Sequence, residues 1–301
     1  MNLNRRLIAL LLLTAGAMFI WINYPRADLS NVTITQPEDQ SPQEEQTVEE
    51  PEQEEEATED ETTTAEESEP RQFSEVVADA LQNTVEFFSG EETHVVAIGD
   101  SLTKGVGAEQ EEGGYVGILN RAINEETELV TFENYGVRGH RSDQLLARLD
   151  EPEITSSIEQ ADIVLMTIGA NDIMKVVKET FTDLNLEDFA EARIDYENRL
   201  EQILLVMQEI NPDSEIYLVG FYNPFSTYFE DIEELDFIIS AWNDTGRTLA
   251  QQHENVTFIP TVDLFEDSEA DLFALDNFHP NDLGYRLIAQ RVLDYITEEE
   301  G

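Results

Sequence analysis

The sequence predicts an α/β fold, a three-layer sandwich of about five parallel strands with helices on both faces. Two observations carry this. Short apolar runs recur at Val95–Ile98, Leu129–Phe132, Ile163–Ile168, Ile216–Val219 and Val256–Ile259, and continuous Val/Ile/Leu runs suit strands buried on both faces. Helical patterns fall between and after them, at Tyr115–Ile123, Ser142–Leu149, Phe189–Ile210, Ile232–Gln252 and Leu283–Ile296. Strand and helix in alternation argue for parallel strands with crossover helices. Such a sheet carries its functional loops beyond the carboxyl ends of the strands.

The elements sit within three regions: an apolar N-terminal segment over 1–27, an acidic linker over 28–70 and a folded domain over 71–301. Arg5 and Arg6 precede an uncharged run, Leu7 to Ile22, that ends near Trp21 and Tyr24. As a helix, Leu7–Tyr24 would reach about 27 Å, close to the hydrocarbon thickness of a bilayer. The two arginines place its start in the cytoplasm and the aromatics suit the far interface. Small residues at a signal-cleavage spacing are poorly placed, since Ala15-Gly16-Ala17 lies inside the run. The expectation is an uncleaved single-pass anchor with the domain outside the cytoplasm, or a secreted domain if the segment is removed. Residues 37–70 hold 16 acidic residues and no basic ones, with almost no large apolar side chain. A segment of this composition cannot offset its ordering entropy and reads as an extended tether. Phe73 to Phe88 follows with helical spacing of its apolar residues, a helix for the domain edge.

Residues 71–301 hold 49 acidic and 13 basic residues, a net charge of −36. Like charge repels phosphate, so nucleic acid and anionic surfaces are excluded as partners. The chain has no cysteine, which excludes a disulfide scaffold and thiolate metal sites.

Chemistry-bearing residues gather after the strands. The first apolar run ends in Gly99-Asp100-Ser101-Leu102. Glycine permits a sharp turn there, and a serine after it can stand exposed at a helix start, although Asp-Ser is also an ordinary helix cap. A serine nucleophile needs a base, and there are only four histidines. His94 begins the first strand, His253 ends a helix and His140 follows a loop glycine. His279 lies in Asp276-Asn277-Phe278-His279-Pro280, where a carboxylate three residues ahead can orient the ring. The plainer reading of that segment is a polar helix entry. Acyl transfer also needs donors for an oxyanion. Gly139, in Asn134 to Gly139, and Asn171, in Gly169-Ala170-Asn171-Asp172, supply a close-approaching backbone and a side-chain amide, or merely shape a turn and cap a helix.

Taken together, these four blocks, in this order, resemble the GDSL/SGNH hydrolase family from about His94 to Ile296. The continuation Gly105-Val106-Gly107 and Gly113-Gly114-Tyr115 looks like its bacterial lysophospholipase/thioesterase-like members. The resemblance implies a flavodoxin-like sandwich and a serine esterase working without metal or organic cofactor. Ser101 would be nucleophile and first oxyanion donor, Gly139 and Asn171 the other donors, His279 the general base and Asp276 its orienting acid. Asp100 and Asp172 would hold loops. The implied substrate is a small-molecule or lipid ester. An O-acetyl group on cell-wall or extracellular polysaccharide is the alternative, and an inactive binding module a further one. The apolar stretch Ile173 to Phe189 and the aromatic loop Phe221 to Phe229 are read as pocket wall or as core cover.

Overall fold

A computed structural model describes residues 88, 92–109, 113–125, 127–180, 185–224, 233–266, 268 and 270–298. The expected anchor, the linker and all of the 73–88 helix except Phe88 lie outside the described residues. Among those described, no helix is long and apolar enough to cross a membrane.

Five strands form one parallel sheet: β1 (Thr93–Gly99), β2 (Val130–Gly136), β3 (Ile163–Thr167), β4 (Glu215–Val219) and β5 (Val256–Ile259). Their spatial order is β2-β1-β3-β4-β5. The chain therefore reverses direction across the sheet between β1 and β3. In doubly wound sheets, the crevice at such a reversal, beyond the carboxyl ends, is where ligands bind.

Strand residues alternate between two cores, as the period of two requires. Val96, Ile98, Val164, Met166, Ile216 and Leu218 face one side. There they meet α3 (Ser142–Arg148), α4 (Pro152–Glu159), α5 (Ala170–Thr180), α6 (Leu186–Ile210) and α7 (Glu233–Ala250). Val95, Ala97, Leu165, Tyr217, Val219 and Ile259 face the other side, against α2 (Gly114–Ile123), α8 (Val262–Glu266) and α9 (Asp282–Glu298). Phe88 joins that second core. A short α1 (Ser101–Lys104) follows β1 directly. Burying each Val, Leu or Ile is worth roughly 1.5–3 kcal/mol, so the two cores dominate the fold.

β2 reaches four residues further than its apolar run predicts, to Gly136. It is an edge strand, half-exposed, and polar residues such as Thr131 and Glu133 are tolerated on its open face. The stretch after the third block is the helix α5, whose Ile173, Met174, Val176 and Val177 are buried in the first core. Core cover is thus the reading that holds for these four residues.

Candidate active site

The turn leaving β1 sets the first component. Gly99 adopts φ +147° and lies against the Thr167 backbone, where a Cβ would come within 2.1 Å of the carbonyl oxygen. Asp100 caps α1: its Oδ1 accepts from the Leu102 N–H at 3.0 Å and from the Thr167 hydroxyl at 2.8 Å. Burial pushes the Asp100 carboxyl up to about 6, against those two hydrogen bonds and the charge of His279. The cap fixes Ser101 as the first residue of α1, at the carboxyl end of the sheet.

A second component arrives 178 residues later in sequence. Phe273 and Pro280 form an antiparallel bridge, and the loop between them carries Asp276 and His279. Asp276 Oδ1 accepts from the N–H groups of Phe278 (3.1 Å) and His279 (2.9 Å), which coils the loop around the carboxylate. Asn277 takes a left-handed φ of 53° to make this turn. The His279 Nδ1–H donates to Asp276 Oδ2 at 2.7 Å, and its Nε2 accepts from the Ser101 hydroxyl at 2.9 Å. The two bonds are consistent with one tautomer: a proton on Nδ1 leaves the Nε2 lone pair for the serine. Burial pushes Asp276 up, but the His279 hydrogen bond and charge and the two backbone N–H groups outweigh it and hold the carboxyl below its ordinary value.

The imidazole is enclosed on several sides. At Gly107 a Cβ would meet the Pro280 carbonyl at 2.6 Å and His279 Cβ at 2.9 Å, so the loop after α1 packs directly on His279 and Pro280. The Phe278 ring stands edge-on to the imidazole, 5.1 Å away. The Tyr222 hydroxyl donates to the Phe278 carbonyl at 2.8 Å, and its ring stacks on Phe265 at 3.9 Å. His279 is 2 % exposed, so its proton chemistry takes place away from bulk water.

The other two blocks meet each other. Gly139 has φ +81°, a conformation that favours glycine, in a turn where the His140 N–H donates to the Val137 carbonyl. Asn171, buried in the first turn of α5, donates one amide hydrogen to the His140 carbonyl at 3.0 Å. Next to it, Asp172 accepts from the Ser142 N–H (2.9 Å) and hydroxyl (2.6 Å). Asn134 donates to the Thr103 carbonyl at 2.8 Å and so ties β2 to α1.

Beside Ser101 and His279 lies a small cavity of about 40 Å³. Leu102, Ile168, Phe221, Tyr222, Pro224 and Phe278 give it an apolar wall. Of the aromatic loop, Phe221 and Tyr222 line this cavity, while Phe225, Tyr228 and Phe229 lie outside the described residues.

Known proteins resemble this chain in sequence and in fold. The family model described as "GDSL-like Lipase/Acylhydrolase family" matches residues 97–287. The chain is 34% identical over 226 residues to the uncharacterized protein YpmR of Bacillus subtilis, covering 74% of this chain and 88% of that one. The chain belongs to the GDSL-like lipase/acylhydrolase family. It is also 30% identical over 204 residues to the spore germination lipase LipC of Bacillus licheniformis, covering 65% of this chain and 92% of LipC. Among solved structures, the lipase Lip_vut3 from goat rumen metagenome superposes with a TM-score of 0.59 at 27% identity, covering 68% of this chain and 97% of that one. As a member of this family of lipases and esterases, the protein is a carboxylic ester hydrolase.

Within this family member, the structure brings Ser101, His279 and Asp276 into one hydrogen-bonded line and joins Asn171 to the residue after Gly139. The other histidines stand elsewhere. His94 pairs with Glu133, and His253 contacts Gln208 and Glu201. The buried Nδ1 of His140 has no hydrogen-bond partner among the described residues, and burial together with Arg148 lowers the pKa of its ring. Sequence reasoning did not single out Thr167 or Arg199, because Thr167 reads as the end of an apolar strand and Arg199 as one charge in a long helix.

Proposed function

We propose that the protein hydrolyses carboxylic esters through Ser101, His279 and Asp276, outside the cytoplasm and tethered by its N-terminal segment. The observation that carries this is the continuous hydrogen-bonded line from the Ser101 hydroxyl through the imidazole to a carboxylate held ionised. Ser101 Oγ attacks the ester carbonyl as its proton passes to His279 Nε2, and Asp276 stabilises the imidazolium so formed. The Ser101 and Gly139 N–H groups and the second amide hydrogen of Asn171 receive the oxyanion. His279 then protonates the leaving alcohol, and water releases the acyl group by the same steps in reverse.

The acyl side of the ester faces the apolar wall, and a small cavity beside the nucleophile suits a short acyl group. This supports the O-acetyl or other short-chain reading over a long-chain lipid. The full-length chain and its Ser101→Ala variant, assayed on p-nitrophenyl acetate, butyrate and octanoate, test both parts. Hydrolysis lost in the variant and falling from acetate or butyrate to octanoate is the expected result. Ser101-independent turnover would overturn the mechanism, and a preference for octanoate would overturn the short-chain assignment. The tether is tested separately: the domain should be cut by protease added to intact cells and should sediment with membranes.

A further inference from the structure

The two side segments of the proposed oxyanion site belong to different elements. Gly139 sits on the loop between β2 and α3, and Asn171 on the first turn of α5. Oxyanion donors act only when held near 2.7–3.1 Å from one point, so something must fix the loop against the helix. The single bond from Asn171 to the His140 carbonyl is one tie. A second tie lies directly behind it, and it ends in a residue outside all four motif blocks.

Ser142, the first residue of α3, is fully buried, and its hydroxyl and N–H both donate to the Asp172 carboxylate. Arg199, in the middle of α6, closes the ring. Its Nε donates to Ser142 Oγ at 2.7 Å and its Nη2 to Asp172 Oδ1 at 3.1 Å. The fork of one guanidinium therefore spans both segments, a geometry an ammonium does not reproduce. Asp172 is buried, and a buried carboxylate needs a paired cation and satisfied oxygens to keep its place. Arg199 provides the cation from a third helix that packs on both α3 and α5.

We propose that Arg199 is a positioning residue for ester hydrolysis: by clamping Ser142 to Asp172 it sets the distance between the Gly139 N–H and the Asn171 amide. This rests on the serine-esterase reading above. The clamp does not touch the substrate, so its loss should weaken transition-state binding and leave ground-state binding alone. A polar cavity of about 400 Å³, lined by Arg199, Asp172, Lys175 and Asp195 among others, opens onto the clamp. A free guanidinium ion can therefore reach the position vacated by a truncated side chain.

The test uses the full-length chain with Arg199→Ala, Arg199→Lys and Ser142→Ala, each normalised to the sites labelled by a fluorophosphonate probe on Ser101. In Arg199→Ala, kcat should fall roughly 10–100-fold with KM within about threefold. Affinity for a short-chain boronate, a tetrahedral mimic, should fall by the same factor as kcat, and tens of millimolar guanidinium should restore much of both. Arg199→Lys, which keeps the charge but not the fork, should lie between. If Arg199→Ala does not fold, Ser142→Ala carries the test, since it cuts the Arg199 bond while the backbone N–H to Asp172 remains. Unchanged kcat and boronate affinity per labelled site, or a loss seen only in thermal stability, would overturn the clamp. A folded wild type that takes up no probe and hydrolyses no ester would instead overturn the serine-esterase reading, and the clamp with it.

Discussion

Three histidines of this domain face a carboxylate, and they stand at opposite ends of one sheet. At the amino end, His94 Nε2 lies 3.0 Å from Glu133 and His253 Nε2 lies 3.7 Å from Glu201. At the carboxyl end, His279 Nδ1 lies 2.7 Å from Asp276. Distance alone does not separate His94 from His279. The difference lies on the other ring nitrogen. That of His279 meets the Ser101 hydroxyl, whereas that of His253 meets the Gln208 amide oxygen. A histidine–acid pair can activate a serine only where that hydroxyl is presented to its free nitrogen. In this fold such presentation occurs where β1 ends in a capped turn at the sheet's reversal point.

The largest effects should separate the two ends. Ser101→Ala and His279→Ala should each lower kcat by roughly 10⁴-fold or more, and Asp276→Asn by about 10³–10⁴-fold. His94→Ala and His253→Ala should leave kcat within about twofold. Steady-state assays normalised to folded protein decide this, and a large loss in His94→Ala would break the comparison. Asn171→Ala comes next. Its kcat should drop about 10²–10³-fold at constant KM if its amide is the oxyanion donor proposed above.

Much of this contrast is legible in the sequence. The strands at Val95, Ile163 and Ile216 announce themselves because central strands of a parallel sheet are apolar over most of their length, so residue type alone marks them. Ser101 and His279 are legible because one follows a strand at a glycine turn and the other precedes a helix three residues after an aspartate, and only four histidines compete. The short helices α4 and α8 are not, since eight and five residues give too few turns for a period to show. Nor is α5 read as a helix, because its apolar residues serve equally as core or pocket wall until the sheet beneath them is known. Arg199 and Thr167 are hidden for another reason. Their roles come from segments 57 and 67 residues away, and an arginine within a long charged helix carries no local mark of its partner.

A smaller effect sharpens what burial does at the carboxyl end. The Asp100 carboxyl is raised from 3.8 to about 6, chiefly by burial. Between those values the folded chain keeps a proton that the unfolded chain has lost. This contribution to stability is therefore full below about 3.8 and is lost as pH rises through about 6, a change of about 3 kcal/mol. Asn at this position keeps the side-chain oxygen that caps α1 and removes the ionisable group. Urea unfolding at pH 5 and 7.5 should show wild type losing more stability over this interval than Asp100→Asn. Asp276, held below its ordinary value, changes in the opposite sense and only at lower pH.

The smallest expected effect concerns the amino-end pair that most resembles the Asp276–His279 pair. Glu133 and His94 make a 3.0 Å contact, but their side chains are 37% and 23% exposed. An exposed pair is screened by water and salt and is worth about 0–1 kcal/mol. Glu133→Gln keeps the side chain's length and one hydrogen-bonding oxygen while removing the charge. Its urea midpoint should move by no more than about 0.5 kcal/mol in equivalent stability, and its kcat should not move. By contrast Asp276→Gln or Asp276→Asn leaves a buried imidazole without the charge that fixes its tautomer. If Glu133→Gln proved as costly to kcat as the substitutions at Asp276, the hydroxyl on the second ring nitrogen would not be what distinguishes the two ends. If only stability shifted, and only slightly, the same contact distance would have two values set by solvent access and by what lies across the ring.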